Sequence, residues 1–267
     1  MSRNSTDSLQ TQDPVPVSES TTLLNHDHDN SRRGDLEQHD DSHPVSFGTV
    51  IKQGNMARSA LPVQLLALAF MALVWRMVLL KMPLSSLPLF GYHPLLQSLS
   101  LVLLVQSILV LQPTTQHDPA RKLRAMQAHQ VLNLGLALPL FTAGATIMWY
   151  LHDQPGSAHF ISWHGILGTV AVSWAWVQAA IGAASVWFDG ALLGGGARAK
   201  RIWKWHRLSG YLLLPLFFLV AALGVAETTW ARNNSDAVVR VAIVAALALA
   251  IVLVVIRLKP SKLPKLV

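Results

Sequence analysis

Six apolar runs, each long enough to cross a bilayer, restrict this chain more than any other feature of its sequence. They cover residues 61–80, 93–112, 125–149, 160–186, 206–226 and 238–256. About 20 apolar residues in a helix cross roughly 30 Å of hydrocarbon. No water satisfies the backbone inside that layer, so each run is predicted to be a helix. The alternation over about ten residues that marks a strand of a transmembrane barrel does not occur in them. Short connections rich in turn residues separate the runs: Pro113, Asp118-Pro119, Asp153 to Gly156, Gly194 to Gly196, and Asn233-Asn234. Composition agrees, with 52% hydrophobic and 13% charged residues against about 25% charged in soluble domains. An all-α integral membrane protein with six transmembrane helices is expected.

Charge is distributed unevenly. Residues 1–55 hold nine acids and four bases, and residues 56–267 five acids and 17 bases. The basic excess therefore belongs to the hydrophobic part. It is read as loops facing an anionic membrane surface, not as a nucleic-acid footprint. Fourteen Lys and Arg flank the runs on the N-terminal side and three, Lys81, Arg232 and Arg240, on the other. The positive-inside rule then places both termini in the cytoplasm. Residues 1–55 are polar, without a sustained apolar period, and are expected to be a disordered cytoplasmic tail. Residues 56–258 form the six-helix domain, and 259–267 a short basic tail. The first apolar run starts too far in and is too long for a signal peptide, so it is expected to act as signal and anchor. The chain has no cysteine, which excludes disulfides, Fe–S clusters and covalently attached c-type haem.

Of 11 histidines, four occupy consecutive central runs: His93, His129, His164 and His206. Ionisable groups within spans are expensive and usually face a bundle interior, a partner or a cofactor. Helices 2 and 4 run in the same direction, so His93 and His164 lie toward one face. Helices 3 and 5 run the other way and bring His129 and His206 toward the cytoplasmic face. A four-helix bundle can project such side chains into its core, which gives two sites of two imidazoles each. Zinc and copper need more protein ligands than two. Haem brings four nitrogens and asks for two axial ligands, so two bis-histidine haems b fit without remainder. Gly168 and Gly210 each follow a histidine by four residues, on the same helix face. They leave room either for a macrocycle or for close helix packing.

Tyr92-His93-Pro94-Leu95-Leu96, Arg121-Lys122-Leu123-Arg124 followed by His129, Ser162-Trp163-His164-Gly165 and Trp205 to Tyr211 together resemble the cytochrome b561 family. The resemblance runs over roughly residues 58–258 and is nearest to stand-alone b561-domain proteins. It implies a central bundle of helices 2 to 5 holding two haems b, His93 with His164 outside and His129 with His206 inside. It also implies electron transfer from cytoplasmic ascorbate to monodehydroascorbate or a ferric chelate across the membrane. Ascorbate is a monoanion at neutral pH, so its site needs cations. Lys122, seven residues before His129, matches a substrate-contacting lysine of ascorbate-using relatives, and Arg124 joins it as a candidate. Where those relatives often carry a second basic residue, three before the histidine, Met126 stands here. His152 and His159, in the external loop before helix 4, are the acceptor-side candidates. The sixth helix, fully apolar, offers no chemistry.

The competing class is a haem-free six-span transporter or membrane adaptor whose histidines relay protons. The spans contain no Asp or Glu, which proton-coupled carriers usually need. Glu19 to Leu24 fits an acidic dileucine sorting pattern, which makes a vacuolar or endosomal membrane, or else the plasma membrane, the expected address. A homodimer is left open.

Overall fold

The computed structural model describes residues 45–56, 60–115, 117–258 and 263–264. The tail histidines His26, His28, His39 and His43, the Glu19–Leu24 pattern, Arg58 and the tail lysines Lys259, Lys262 and Lys265 lie outside the described residues.

The disordered tail expected over 1–55 runs too far. Phe47–Met56 is a helix, α1. The Ser46 hydroxyl caps it by accepting from the Thr49 amide at 3.1 Å. Val50 is buried against Val110, Ala125 and Ala128. A Cβ at Gly54 would lie 3.0 Å from the Val110 Cα, so glycine lets α1 press on a neighbouring backbone. The helix owes its order to this packing, which hydropathy does not report.

Six longer helices follow, each apolar enough to cross a membrane. They are α2 (Ala60–Lys81), α3 (Leu89–Leu109), α4 (Pro119–His152), α5 (Trp163–Ala184), α6 (Gly196–Ala226) and α8 (Ala237–Ile256). A short α7 (Thr229–Asn234) lies between the last two. The α4 span begins with Asp118 as its cap, whose carboxylate accepts from the Arg121 amide at 2.9 Å, and Pro119 follows in the first turn. Within it, Val131–Ala137 winds as a π-helix, and the Leu138 amide bonds the Asn133 carbonyl five residues back. Pro139 follows directly and has no N–H to give the regular ladder. The turn from α5 to α6 passes through left-handed backbone at Phe188, Asp189 and Gly190, and a Cβ at Gly190 would collide with the Ala199 methyl.

Neighbours in sequence pack as neighbours in space: α2 with α3, α3 with α4, α4 with α5, and α5 with α6. The last span, α8, packs on both α6 and α2 and closes the ring. A dense core of Val63, Phe70, Val74, Leu101, Val105, Leu214, Phe218, Ile243 and Leu247 ties α2, α3, α6 and α8 together. The bundle is looser on the other side. In α5 only Ala171 is buried, because its inward face lines two cavities. The protein is a multi-pass, all-α integral membrane protein.

Candidate functional site

His93 sits in the second turn of α3, just before Pro94. Its Nδ1–H donates to the Gly144 carbonyl of α4 at 2.9 Å. One turn on, the Gln97 amide donates to the Phe141 carbonyl at 3.0 Å, so α3 grips α4 twice. His164 opens α5, where Ser162 caps the helix, and its Nδ1–H donates to the Val220 carbonyl of α6 at 2.9 Å. The two rings stand 5.9 Å apart between centroids and nearly perpendicular, at 88°.

His129 lies toward the start of α4, and its Nδ1–H donates to the Ser107 carbonyl at 3.0 Å. Ser107 belongs to the last turn of α3, whose carbonyls have no partner within their own helix. The Asn133 amide lies 3.2 Å from the same Nδ1 and 3.3 Å from Nε2. His206 lies in α6, and its Nδ1 is buried without a hydrogen-bond partner among the described residues. A carbonyl oxygen only accepts, so three of the four imidazoles carry their proton on Nδ1. In His93 and His164 this leaves the Nε2 lone pair available, the arrangement of a metal-binding histidine, whereas in His129 the Asn133 amide, 3.3 Å away, donates to Nε2.

Glycines of neighbouring helices seat two of the rings. A Cβ at Gly224 would lie 2.8 Å from His164 Cε1, and one at Gly182 would lie 2.8 Å from His206 Cε1. Gly168 and Gly210 line the cavities as well, but they do not hold the rings.

Each pair faces a cavity. His129 and His206 line one of about 310 Å³ on the side where α1 and the end of α8 lie, here the tail side. His93 and His164 line one of about 560 Å³ on the far side. Phe141 and Phe217 line both, stacked at 4.4 Å. Among the described residues no group of three or more His, Cys, Asp or Glu is placed to hold a metal ion.

The candidates for donor and acceptor separate. Lys122 lines the tail-side cavity, its Nζ 5.7 Å from the centroid of the Trp203 ring. Arg124 does not line it. Its Nε donates to the Val45 carbonyl at 2.9 Å, its Nη1 to Gln127 at 3.1 Å, and it lies 5.2 Å from the Phe47 ring. Its side chain thus binds α1. His152 and His159 both line the far-side cavity, with ring centroids 6.1 Å apart. His159 also stacks on Trp149 at 4.3 Å.

The tail-side cavity adds residues not singled out from the sequence: Gln112, Asn133, Trp203, Tyr211 and Arg257. Arg257, just past α8, donates through Nε to the Gln112 side chain. Burial lowers its pKa and the adjacent Tyr211 acts the other way. Arg207 and Tyr211 are four residues apart on one face of α6, which sequence spacing could have signalled. Arg257 carried no such signal, since a base after the last span reads as topology alone.

A family model described as eukaryotic cytochrome b561 matches residues 92–232, which contain all four histidines. The transmembrane reductases CYB561D2 of Bos taurus and Homo sapiens are each 37% identical over 123 residues. That of Mus musculus is 36% identical over the same length. The matched stretch is 45% of this chain and 52% of each relative, so the chain spans about half the length of the curated relatives it matches. With the family model covering more than half of its residues, the chain belongs to the eukaryotic cytochrome b561 family.

Proposed function

We propose that this protein moves electrons across its membrane through two haems b, from ascorbate on the tail side to monodehydroascorbate or a ferric chelate on the far side. The observation that carries the reading is the pairing of four imidazoles in two stacked cavities, three with Nδ1 committed to carbonyls. His93 and His164 would hold one haem, and His129 and His206 the other. Haem needs only two axial ligands from protein, which suits pairs that no third ligating side chain joins among the described residues. Gly182 and Gly224 keep the rings close to their neighbouring helices, where any side chain would push them aside. When bound, each haem supplies a one-electron carrier.

The chain's own residues do the remaining work. Lys122, Arg207 and Arg257 draw an anion to the tail-side mouth, with Tyr211 and Gln112 beside them as hydrogen-bonding groups. One ascorbate monoanion gives up one electron and one proton there and leaves as the monodehydroascorbate radical anion. The proton passes to tail-side solvent, because the side chains that line both cavities, among the described residues, are the stacked phenyl rings of Phe141 and Phe217. His152 and His159 lie where an acceptor would meet the far-side pair. Arg124 has no part in this reading, since its guanidinium serves α1. Positive-inside sorting makes the tail side cytoplasmic.

A reduced-minus-oxidised spectrum, with haem quantified per chain, tests the reading. Two b-type haems reducible by ascorbate are expected, and His129→Ala should remove one and leave the other. A chain purified without haem from haem-sufficient cells would overturn it.

A further inference from the structure

We infer that the far-side cavity chooses its electron acceptor by charge, preferring a cationic or neutral ferric species over an anion, and that Glu227 sets the preference. The inference rests on the two-haem reading above. Among the described residues no Lys or Arg lines this cavity, and Glu227 is the one carboxylate that does. Glu227 caps the C-terminal end of α6, exposed, three residues after the glycine that seats His164. Asp153 adds a second carboxylate nearby, 3.9 Å from His159 Nε2.

The tail-side cavity is the reverse, with Lys122, Arg207 and Arg257 in its lining and no carboxylate among the described residues. Three bases of the far side, Lys81, Arg232 and Arg240, keep their charges but stand outside the lining of the Glu227 cavity. Arg232 donates to the Ala226 carbonyl, Arg240 donates to those of Ser235 and Arg232, and neither lines the cavity. Lys81, at the end of α2, does not line it either. An anion, monodehydroascorbate or citrate-bound iron, would therefore meet a carboxylate with no countercharge among the lining residues. A hydrated or amine-ligated Fe(III) cation would meet that carboxylate and two imidazoles. The transfer is one electron from the reduced protein to the acceptor, Fe(III) becoming Fe(II), with no proton involved.

A unit charge pair about 4 Å apart in water changes occupancy roughly fivefold. The test uses the haem-loaded full chain in sealed vesicles with ascorbate trapped inside, so that only molecules with the tail side inward are reduced. Reoxidation is followed with external hexaammineruthenium(III) or ferricyanide, one strongly cationic and the other strongly anionic. Because the two probes respond in opposite senses, Glu227→Gln should lower the ruthenium-to-ferricyanide rate ratio by roughly 25-fold or more relative to the unmodified protein. Glu227→Lys should lower it further, and both effects should shrink as salt is raised. Haem content and the rate of haem reduction by ascorbate report folding and the intact tail-side site. A rate ratio unchanged in Glu227→Lys, with both haems retained, overturns the inference alone. Absence of haem, or haems that ascorbate does not reduce, overturns the reading beneath it and the inference with it.

Discussion

Gly224 acts on His164 from a different helix. A methyl placed there would lie 2.8 Å from the ring, so Gly224→Ala must displace the imidazole or part α5 from α6. On the proposed two-haem reading, the expected result is loss of the far-side haem alone, seen as a fall from two haems to one per chain. The histidines themselves are legible in the sequence, because an ionisable residue in each of four apolar runs has few explanations. Their seats are not. Spacing within one helix points to Gly168 and Gly210, whereas the contact that matters crosses between helices. Arg257 repeats the lesson for charge. Its position past the last apolar run reads as topology, yet it bonds Gln112 beside the tail-side cavity. Arg257→Gln should raise the KM for ascorbate about fivefold, the scale of one cation at contact distance in water, with kcat nearly unchanged. Steady-state haem reduction over a range of ascorbate concentrations checks both.

The spans are legible as elements because hydrocarbon leaves a single chain segment no alternative to a helix. Their ends are not, since apolarity marks where a helix crosses the lipid and not where it stops. The fifth apolar run begins at 206, but α6 starts at Gly196 and carries Arg198, Lys200, Arg201 and Lys204 beyond the apolar part. The third likewise reaches back to Pro119, where the Asp118 cap begins it. The most informative element is α1, which the polar composition around it conceals. Arg124→Ala removes a carbonyl hydrogen bond and a contact with an aromatic ring, together worth about 1–2 kcal/mol. At roughly 2–4 °C per kcal/mol for a chain of this size, the Tm should fall by several degrees. The KM for ascorbate should stay as it was, which separates this arginine from Lys122. Thermal unfolding and ascorbate kinetics on the same preparation distinguish the two roles.

For the whole molecule, the positive-inside pattern and the pairing of histidines by helix direction lead to the same two-sided arrangement: bases crowd the tail-side cavity and one carboxylate faces the far side. Function on the proposed reading is therefore vectorial, and vesicles with ascorbate on the far side only should reduce little haem. The stacked pair of Phe141 and Phe217 carries the last consequence. Phenyl rings carry no ionisable group, so on the proposed reading the electron crosses alone and its proton stays behind. Each turnover then works like current into a capacitor. The tail-side compartment grows more positive and more acid, and the next electron climbs about 2.3 kcal/mol for every 100 mV of back-voltage. Turnover in a tight vesicle should start fast, stall within moments, and resume when valinomycin and potassium short the circuit.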